Sequence, residues 1–315
     1  MLKIGVVGTG HLGKIHLQNL LLLKDEFELV GFFDTDPSIQ SEVAQQFSLH
    51  AFASYEDLLA ASEAILLACP TAAHFSMAVQ ALKKRKHLFI EKPVCQTVEE
   101  SKSLLTYGQE AGVVVQVGHV ERFNPAFIAA KGQIDMPMFI ESHRIAPFQE
   151  RGSDVSVVLD LMIHDIDIAL KVVNSRVKRI SASGMEVLSS TTDIASVRLE
   201  FENGCVANLT SSRIAKHRLR KTRFFMSDHS ITVDFLAKTA EKSDVQLNET
   251  TGFKTLKYEP IPTEDLNAIQ LELKAFARSI LSGEKAIVGL EEAHHAMEVA
   301  SYILDRISES NQFVK

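Results

Sequence analysis

The sequence predicts an α/β protein in two parts. A doubly wound parallel sheet occupies residues 1–120, and a second α/β domain with a largely antiparallel open sheet occupies 121–315. Three observations carry this prediction. Short apolar runs alternate with helix-length segments through the first 120 residues. A turn rich in glycine, Gly8-Thr9-Gly10-His11-Leu12-Gly13, stands between the first run and the first helix, and Asp34 closes the second run. Beyond residue 120, strand patterns follow one another without helical crossovers.

In the first part, strands are predicted at 3–7, 29–33, 64–67, 87–90 and 113–117. Helices at 11–23, 39–47, 55–60, 73–83 and 98–110 fill the intervals, and crossovers of that length join parallel neighbours. Sheets of this kind hold ligands beyond the carboxyl ends of their strands. Polar residues gather there: Pro70-Thr71 after the third strand, Glu91-Lys92-Pro93 after the fourth and Gly118-His119 after the fifth. The second part opens with a short helix at 124–132, a strand at 139–145 and a long amphipathic helix at 157–173. Strands at 177–184, 194–201, 204–211, 221–225 and 231–235 follow, with extended segments at 244–248 and 254–258. Turns such as Glu202-Asn203-Gly204 mark antiparallel neighbours. Helices at 264–281 and 290–307 close the chain, and no linker or repeat separates its halves.

The glycine turn has the layout that a dinucleotide requires. Its first glycine permits the sharp turn, its second lets the backbone approach a pyrophosphate, and its third lets helix and strand pack closely. The helix N-terminus adds free N–H groups and a positive dipole for phosphates. Thr9, His11 and Leu12 complete the loop. Asp34 lies about 20 residues on, where a carboxylate accepts from ribose hydroxyls. That carboxylate repels a 2′-phosphate and no arginine follows in Thr35-Asp36-Pro37, so NAD is favoured over NADP. The alternative role for Asp34 is to cap the turn, and one carboxylate can serve both ends.

Composition bounds the remaining possibilities. A chain of 315 residues can bury two ordinary cores, and 46% hydrophobic with 23% charged residues is a globular balance. A net charge of −7 argues against general nucleic-acid binding. No apolar run is long enough to span a membrane, and the first strand begins at once, leaving no room for a signal peptide. Cys69, Cys95 and Cys205 lack metal spacing and read as reduced thiols, which places the chain in the cytoplasm. The histidines show no metal spacing either, so no metal is expected, and His294-His295 reads as a solvent-facing pair.

Lys92 stands after an apolar strand and before a proline that forces a turn, so it is placed to donate to a hydroxyl or alkoxide oxygen. The ordinary alternative is a solvated turn lysine. Asp160 and His164 are four apart in a mostly apolar helix and share a face, where the carboxylate orients a histidine base. The alternative is a buried, satisfied histidine beside an exposed Asp165-x-Asp167 edge. Arg122 and Asn124 follow the fifth strand and can reach substrate oxygens. Alternatively, Arg122 pairs with Glu121, and Asn124 caps a helix that starts at Pro125.

Taken together, G-T-G-x-x-G-x-x-H over residues 8–16, C-P-T-x-x-H over 69–74, E-K-P over 91–93 and D-x-x-x-H over 160–164 resemble the glucose–fructose oxidoreductase/inositol dehydrogenase (Gfo/Idh/MocA) family. The resemblance covers essentially the whole chain. It implies an N-terminal Rossmann domain and a C-terminal domain whose open sheet mediates a homodimer or homotetramer. It also implies NAD(P)-dependent oxidation of a sugar or polyol hydroxyl, or the reverse. Lys92 is then expected to polarise that hydroxyl, with His164 as general base and Asp160 as its orienting partner. Pro70, Thr71 and His74 are expected on the nicotinamide side, with Glu91 and Lys92 beside them. The chain departs from many members at Ser153-Asp154-Val155-Ser156, where glycines are common.

The stretch G-H-x-E-R-F-N-P-A over 118–126 is similar to the family branch that includes UDP-N-acetylglucosamine 3-dehydrogenases. A basic cluster agrees with such a substrate: Arg213, Lys216, Arg218, Arg220, Lys221 and Arg223, with His217, occupy eleven positions. Two or three such cations would hold a pyrophosphate, Arg213 among them. The same charges also protect exposed strands from aggregation. Three readings remain. The leading one is a nucleotide-sugar dehydrogenase. The second is a free polyol or sugar dehydrogenase of the inositol type, and the third a non-catalytic NAD-binding sensor or regulatory subunit.

Overall fold

A computed structural model describes residues 1–150, 152–247 and 252–311. The chain forms two compact units, Met1–Val120 with Ala268–Met297, and Glu121–Asn267 with Glu298–Lys315. The chain thus changes unit at 120, but it returns to the first unit after 267 instead of staying in the second to its end.

The first unit opens as β1 (Leu2–Val7), α1 (His11–Leu22), β2 (Phe27–Phe33), α2 (Pro37–Phe47), α3 (Tyr55–Ala61) and β3 (Ala64–Leu67). It continues as α4 (Thr71–Lys83), β4 (His87–Glu91), α5 (Val98–Ala111) and β5 (Val115–Gly118). The five strands are parallel in the order β2-β1-β3-β4-β5. β3 and β5 are buried throughout, as parallel strands covered on both faces must be. The helix starts follow from side chains. Asp36 accepts from the Ser38 and Ile39 N–H groups, Ser54 from that of Asp57, and Thr97 with Glu100 forms a reciprocal capping box. α4 begins two residues earlier than expected, directly behind Pro70, which puts its N-terminus at the carboxyl end of β3.

In the second unit come α6 (Pro125–Ala130), β6 (Phe139–Ile145) and α7 (Ile163–Val173), the last preceded by a π-helical turn at Val158–Met162. The strands β7 (Val177–Met185), β8 (Ile194–Phe201), β9 (Val206–Ser212) and β10 (Leu219–Phe225) follow. The sheet is completed by β11 (His229–Asp234), β12 (Thr239–Leu247) and β13 (Lys254–Ile261). Asn248, expected in the seventh of these segments, lies outside the described residues. The order is β13-β12-β11-β10-β6-β9-β8-β7, antiparallel except for the parallel pair β6–β9. The sheet is therefore mixed, because β6 is inserted between strands that come much later in the chain.

Two helices close the chain, α8 (Ala268–Ser282) and α9 (Leu290–Asn311). α8 belongs to the first unit because Leu273, Phe276, Ala277 and Ile280 form one apolar stripe, and that stripe enters the core of Ile4, Val6, Leu17 and Phe89. The Phe89 and Phe276 rings meet edge to face at 5.9 Å. His294 is half-buried and bonds Ser101 Oγ at 2.7 Å, which corrects the solvent-facing expectation for it.

A buried ionic layer fixes the second unit. Arg144 on β6 is 2% exposed and forks onto both Asp165 oxygens at 3.0 Å, while its third nitrogen donates to Glu121 at 2.7 Å. Arg122 forks onto Asp167 at 2.6 and 2.7 Å. A second knot joins Arg213 to Asp193. The Asp193 carboxylate takes the Arg213 guanidinium at 2.7 Å and the backbone N–H groups of Val187, Leu188 and Ser189. Burial opposes ionisation of Asp193, but these donors outweigh it and hold the carboxyl well below its usual range.

Two expectations follow. Arg144→Met strands two buried carboxylates and lowers stability by about 3–5 kcal/mol, read from urea unfolding. Asp193→Asn lowers Tm at pH 7. The folded carboxyl is depressed, so its contribution is present above the unfolded value and disappears as pH falls. The Tm difference between variant and parent therefore narrows below about pH 4.

Candidate active site

At the carboxyl ends of β1 and β3 the first unit forms a cradle. Gly8 has φ +81°, and a Cβ there would stand 2.4 Å from the Cys69 backbone. A Cβ on Gly13 would strike the Gly8 carbonyl at 1.9 Å. Gly10 differs, since a Cβ there meets nothing within 4 Å. The first and third glycines are therefore required by packing, and the second opens onto free space. Gly10 also caps α1 without any side-chain bond, so the N–H groups of the first turn face that space uncovered by a capping side chain. His11 is exposed and Leu12 half-exposed at its edge. These features fit a dinucleotide pyrophosphate.

Asp34, at the end of β2, accepts from Thr9 N at 2.7 Å and Thr9 Oγ1 at 3.1 Å through one oxygen, and from Asp36 N at 3.0 Å through the other. It braces the glycine loop and the following turn while remaining part-exposed. The Asp34 oxygen that accepts from Asp36 N keeps a second lone pair, so capacity for a ribose hydroxyl remains.

Across the β4 end, Glu91 is 8% exposed and ties three elements together. It meets His16 Nε2 of α1 at 2.6 Å and accepts from Lys92 N at 3.2 Å. A Cβ on Gly118 would stand 2.9 Å from its carboxyl. His16 is fully buried against Phe89. Glu91 is thus a bracket under Lys92, not a group open to a ligand, and His16, which stands in the glycine-turn motif, is the partner that sequence reasoning passed over. The Lys92-Pro93 peptide is cis, and Lys92 itself is half-exposed. His74 is 1% exposed, with its ring nitrogens 3.0 Å from the Pro93 carbonyl and 2.9 Å from that of Cys69. It is a strut between two crevice turns. Pro70 and Thr71, exposed and half-exposed at the start of α4, are the members of that motif open to a ligand.

In the second unit the π turn carries Asp160 and α7 carries His164. Both are half-buried. The exposed Asp165-x-Asp167 edge of the alternative reading is not found: the two are 4% and 1% exposed and occupied by Arg144 and Arg122. Asp160 and His164 stay at the surface of the unit, while the two buried acids anchor the helix. Insertion of an extra residue as a π turn is frequent at functional sites.

The proposed substrate contacts change. Arg122 is 6% exposed and committed to Asp167, and Glu121 pairs with Arg144 instead. Asn124 caps α6 by accepting from Ala126 N, and donates to Glu121 and the Phe235 carbonyl. Arg213 spends its donors on Asp193, Thr191 Oγ1 and the carbonyls of Gly152 and Val155. All three hold the frame: Asn124 through the local cap that the sequence indicates, and Arg122 and Arg213 through carboxylates 45 and 20 residues away that the sequence does not juxtapose.

A family model described as an oxidoreductase family with an NAD-binding Rossmann fold, GFO/IDH/MocA, matches residues 2–119, and the GFO/IDH/MocA C-terminal domain matches 130–232. The UDP-N-acetylglucosamine 3-dehydrogenase of Acidithiobacillus ferrooxidans is 32% identical over 280 residues, covering 89% of this chain and 88% of its own. A solved structure of that enzyme superposes with a TM-score of 0.92 at 29% identity and covers 97% of each chain. The scyllo-inositol 2-dehydrogenase (NAD(+)) of Bacillus subtilis is 27% identical, covering 94% of this chain and 91% of its own. Cradle, fold and relatives agree: the chain belongs to the GFO/IDH/MocA family and is a dehydrogenase acting on hydroxyl groups, with an NAD-binding Rossmann domain at its N-terminus.

Proposed function

We propose that this chain oxidises the 3-hydroxyl of UDP-N-acetylglucosamine to the 3-keto sugar, using NAD in preference to NADP. The observation that carries this reading is the 32% identity to a dehydrogenase of that substrate across both units, including the second unit, where substrate recognition would reside. The loop of Gly8–Gly13 and the N-terminus of α1 hold the pyrophosphate, and Asp34 holds the adenosine ribose. Bound there, NAD supplies the hydride acceptor. His164 takes the hydroxyl proton as general base, with Asp160 orienting it, and the Lys92 ammonium donates to the oxygen as negative charge develops. Run in reverse, the same groups reduce the ketone, with His164 returning the proton.

The 27% identity to scyllo-inositol 2-dehydrogenase over 94% of the chain favours a second reading with the same chemistry on a free polyol. Dehydrogenase relatives across the family set aside the sensor alternative. The polar open face of the large sheet, with Glu141, His143, Arg198 and Asn208, is the surface we assign to self-association in a cytoplasmic homo-oligomer.

NADH formation with UDP-N-acetylglucosamine, myo-inositol and glucose separates the two readings. Turnover on the nucleotide-sugar alone supports the first, and turnover on free polyols alone replaces it with the second. In either case His164→Ala lowers kcat by about 10²–10⁴-fold while NADH binding, followed by fluorescence, persists. Lys92→Ala also lowers kcat with cofactor binding retained. Asp34→Ala lowers kcat/KM for NAD by more than that for NADP, because it removes both the ribose acceptor and the repulsion of a 2′-phosphate.

A further inference from the structure

The basic cluster divides at β10. Strand alternation sends Lys221 and Arg223 to the open face, where they lie 3.4 Å from Asp234 and 3.7 Å from Glu141. Arg220 goes to the helix-covered face, directly across the strand pair from Arg144. There it joins Arg218, Arg213, Ala146 and Pro147 around a cavity of about 120 Å³ that also reaches Asp160.

The three arginines of this cavity are not equivalent. Arg213 is spent on Asp193 and six neighbouring oxygens. Arg220 lies 3.7 Å from Glu121 Oε1, but that same oxygen already takes the 2.7 Å bond from Arg144. The Arg220 guanidinium makes no hydrogen bond with a described residue, and Arg218, which is exposed, makes neither hydrogen bond nor ion pair with one. Burial first, then Arg144, pulls the Arg220 pKa below its ordinary value, with Arg218 adding to the repulsion. Two guanidinium forks with unused donors, crowded by a third cation, are an arrangement that an anion relieves.

The geometry points to Arg218 and Arg220 as a phosphoryl-binding subsite that takes the diphosphate of a nucleotide-sugar. This rests on the nucleotide-sugar reading above and adds the residues that impose it. The cavity has room for a phosphoryl group and not for a whole nucleotide. Its single acid, Asp160, lies one turn before His164. C3 of a hexose is two ring bonds from the anomeric carbon that bears the diphosphate, so anion site and reacting hydroxyl belong side by side. A sugar 6-phosphate offers the same chemistry from another position on the ring, and the test separates the two.

The experiment is calorimetric titration of the full chain, loaded with NADH, with UDP and with N-acetylglucosamine 6-phosphate. Parent, Arg218→Met, Arg220→Met, Arg220→Lys and Arg223→Met are compared, with thermal unfolding to verify folding. We expect UDP to bind the parent and to weaken about tenfold or more in Arg218→Met and Arg220→Met. Arg220→Lys recovers part of the loss, and Arg223→Met binds UDP like the parent. UDP binding unaltered by the Arg218 and Arg220 substitutions overturns the subsite while leaving the substrate reading in place. Binding of the 6-phosphate alone, lost in the same variants, overturns the diphosphate assignment. No UDP binding to the parent, with turnover confined to free polyols, overturns both.

Discussion

Arg144 sits at the centre of the second unit with almost no contact with solvent, and its guanidinium joins Glu121 to Asp165. Those two carboxylates come from the turn that opens the unit and from the helix that bears His164. A buried charge with one partner missing is strongly unfavourable, so the three groups tolerate little displacement. Arg122 and Asp167 repeat the arrangement two residues along the helix. α7 is thereby fixed in both rotation and height by two buried ionic contacts, made by residues two apart that leave the helix in different directions. Packing of apolar side chains alone would fix it less closely, because an apolar face can slide where a fork on two oxygens cannot.

This anchoring explains why polar residues in a mostly apolar helix fall into two groups. Asp165 and Asp167 are spent inward, and Asp160 and His164 are left half-buried at the surface of the unit. The first unit uses the same device. The Glu91 bracket joins His16, Lys92 and the bare flank of Gly118, and His74 links the Cys69 and Pro93 carbonyls. In both units the groups assigned to chemistry are held by buried polar partners that do not themselves reach a ligand. Such support keeps a reactive side chain in one geometry without blocking its outer face.

The parallel sheet was legible in the sequence because its signals are local: an apolar run, a cap, a glycine at a forbidden angle. Strand ends fell within two residues of expectation for β1 to β4, and Gly8, Gly13 and Asp34 stand where the spacing put them. What escaped was long-range. Nothing near Asp165 in sequence announces that Arg144, 21 residues away on a strand, will neutralise it. The same holds for Arg213 and Asp193, and it is why two arginines expected to meet substrate proved to be part of the frame. Assignment of α8 to the first unit was readable in principle, since its Leu273, Phe276 and Ala277 stripe needs a core, but the stripe does not say which core. The π turn at Val158–Met162 has no residue signature, because it is an extra residue accommodated by packing on either side.

Charge in the second unit follows from pleat geometry more than from composition. A basic stretch on a strand cannot act as one patch, since alternate side chains leave on opposite faces. Lys221 and Arg223 meet acids on the open face, where water and opposed charge make them ordinary. Arg220 is forced beside Arg144 by register, and the Glu121 oxygen 3.7 Å from it already takes the bond from Arg144. An arrangement that places cations together under a covering helix costs stability unless something external balances it. Because Arg144 cannot leave without releasing α7, the strain falls on Arg220 and Arg218, the two members free to turn their donors outward. An anionic substrate group is the partner that this imbalance selects.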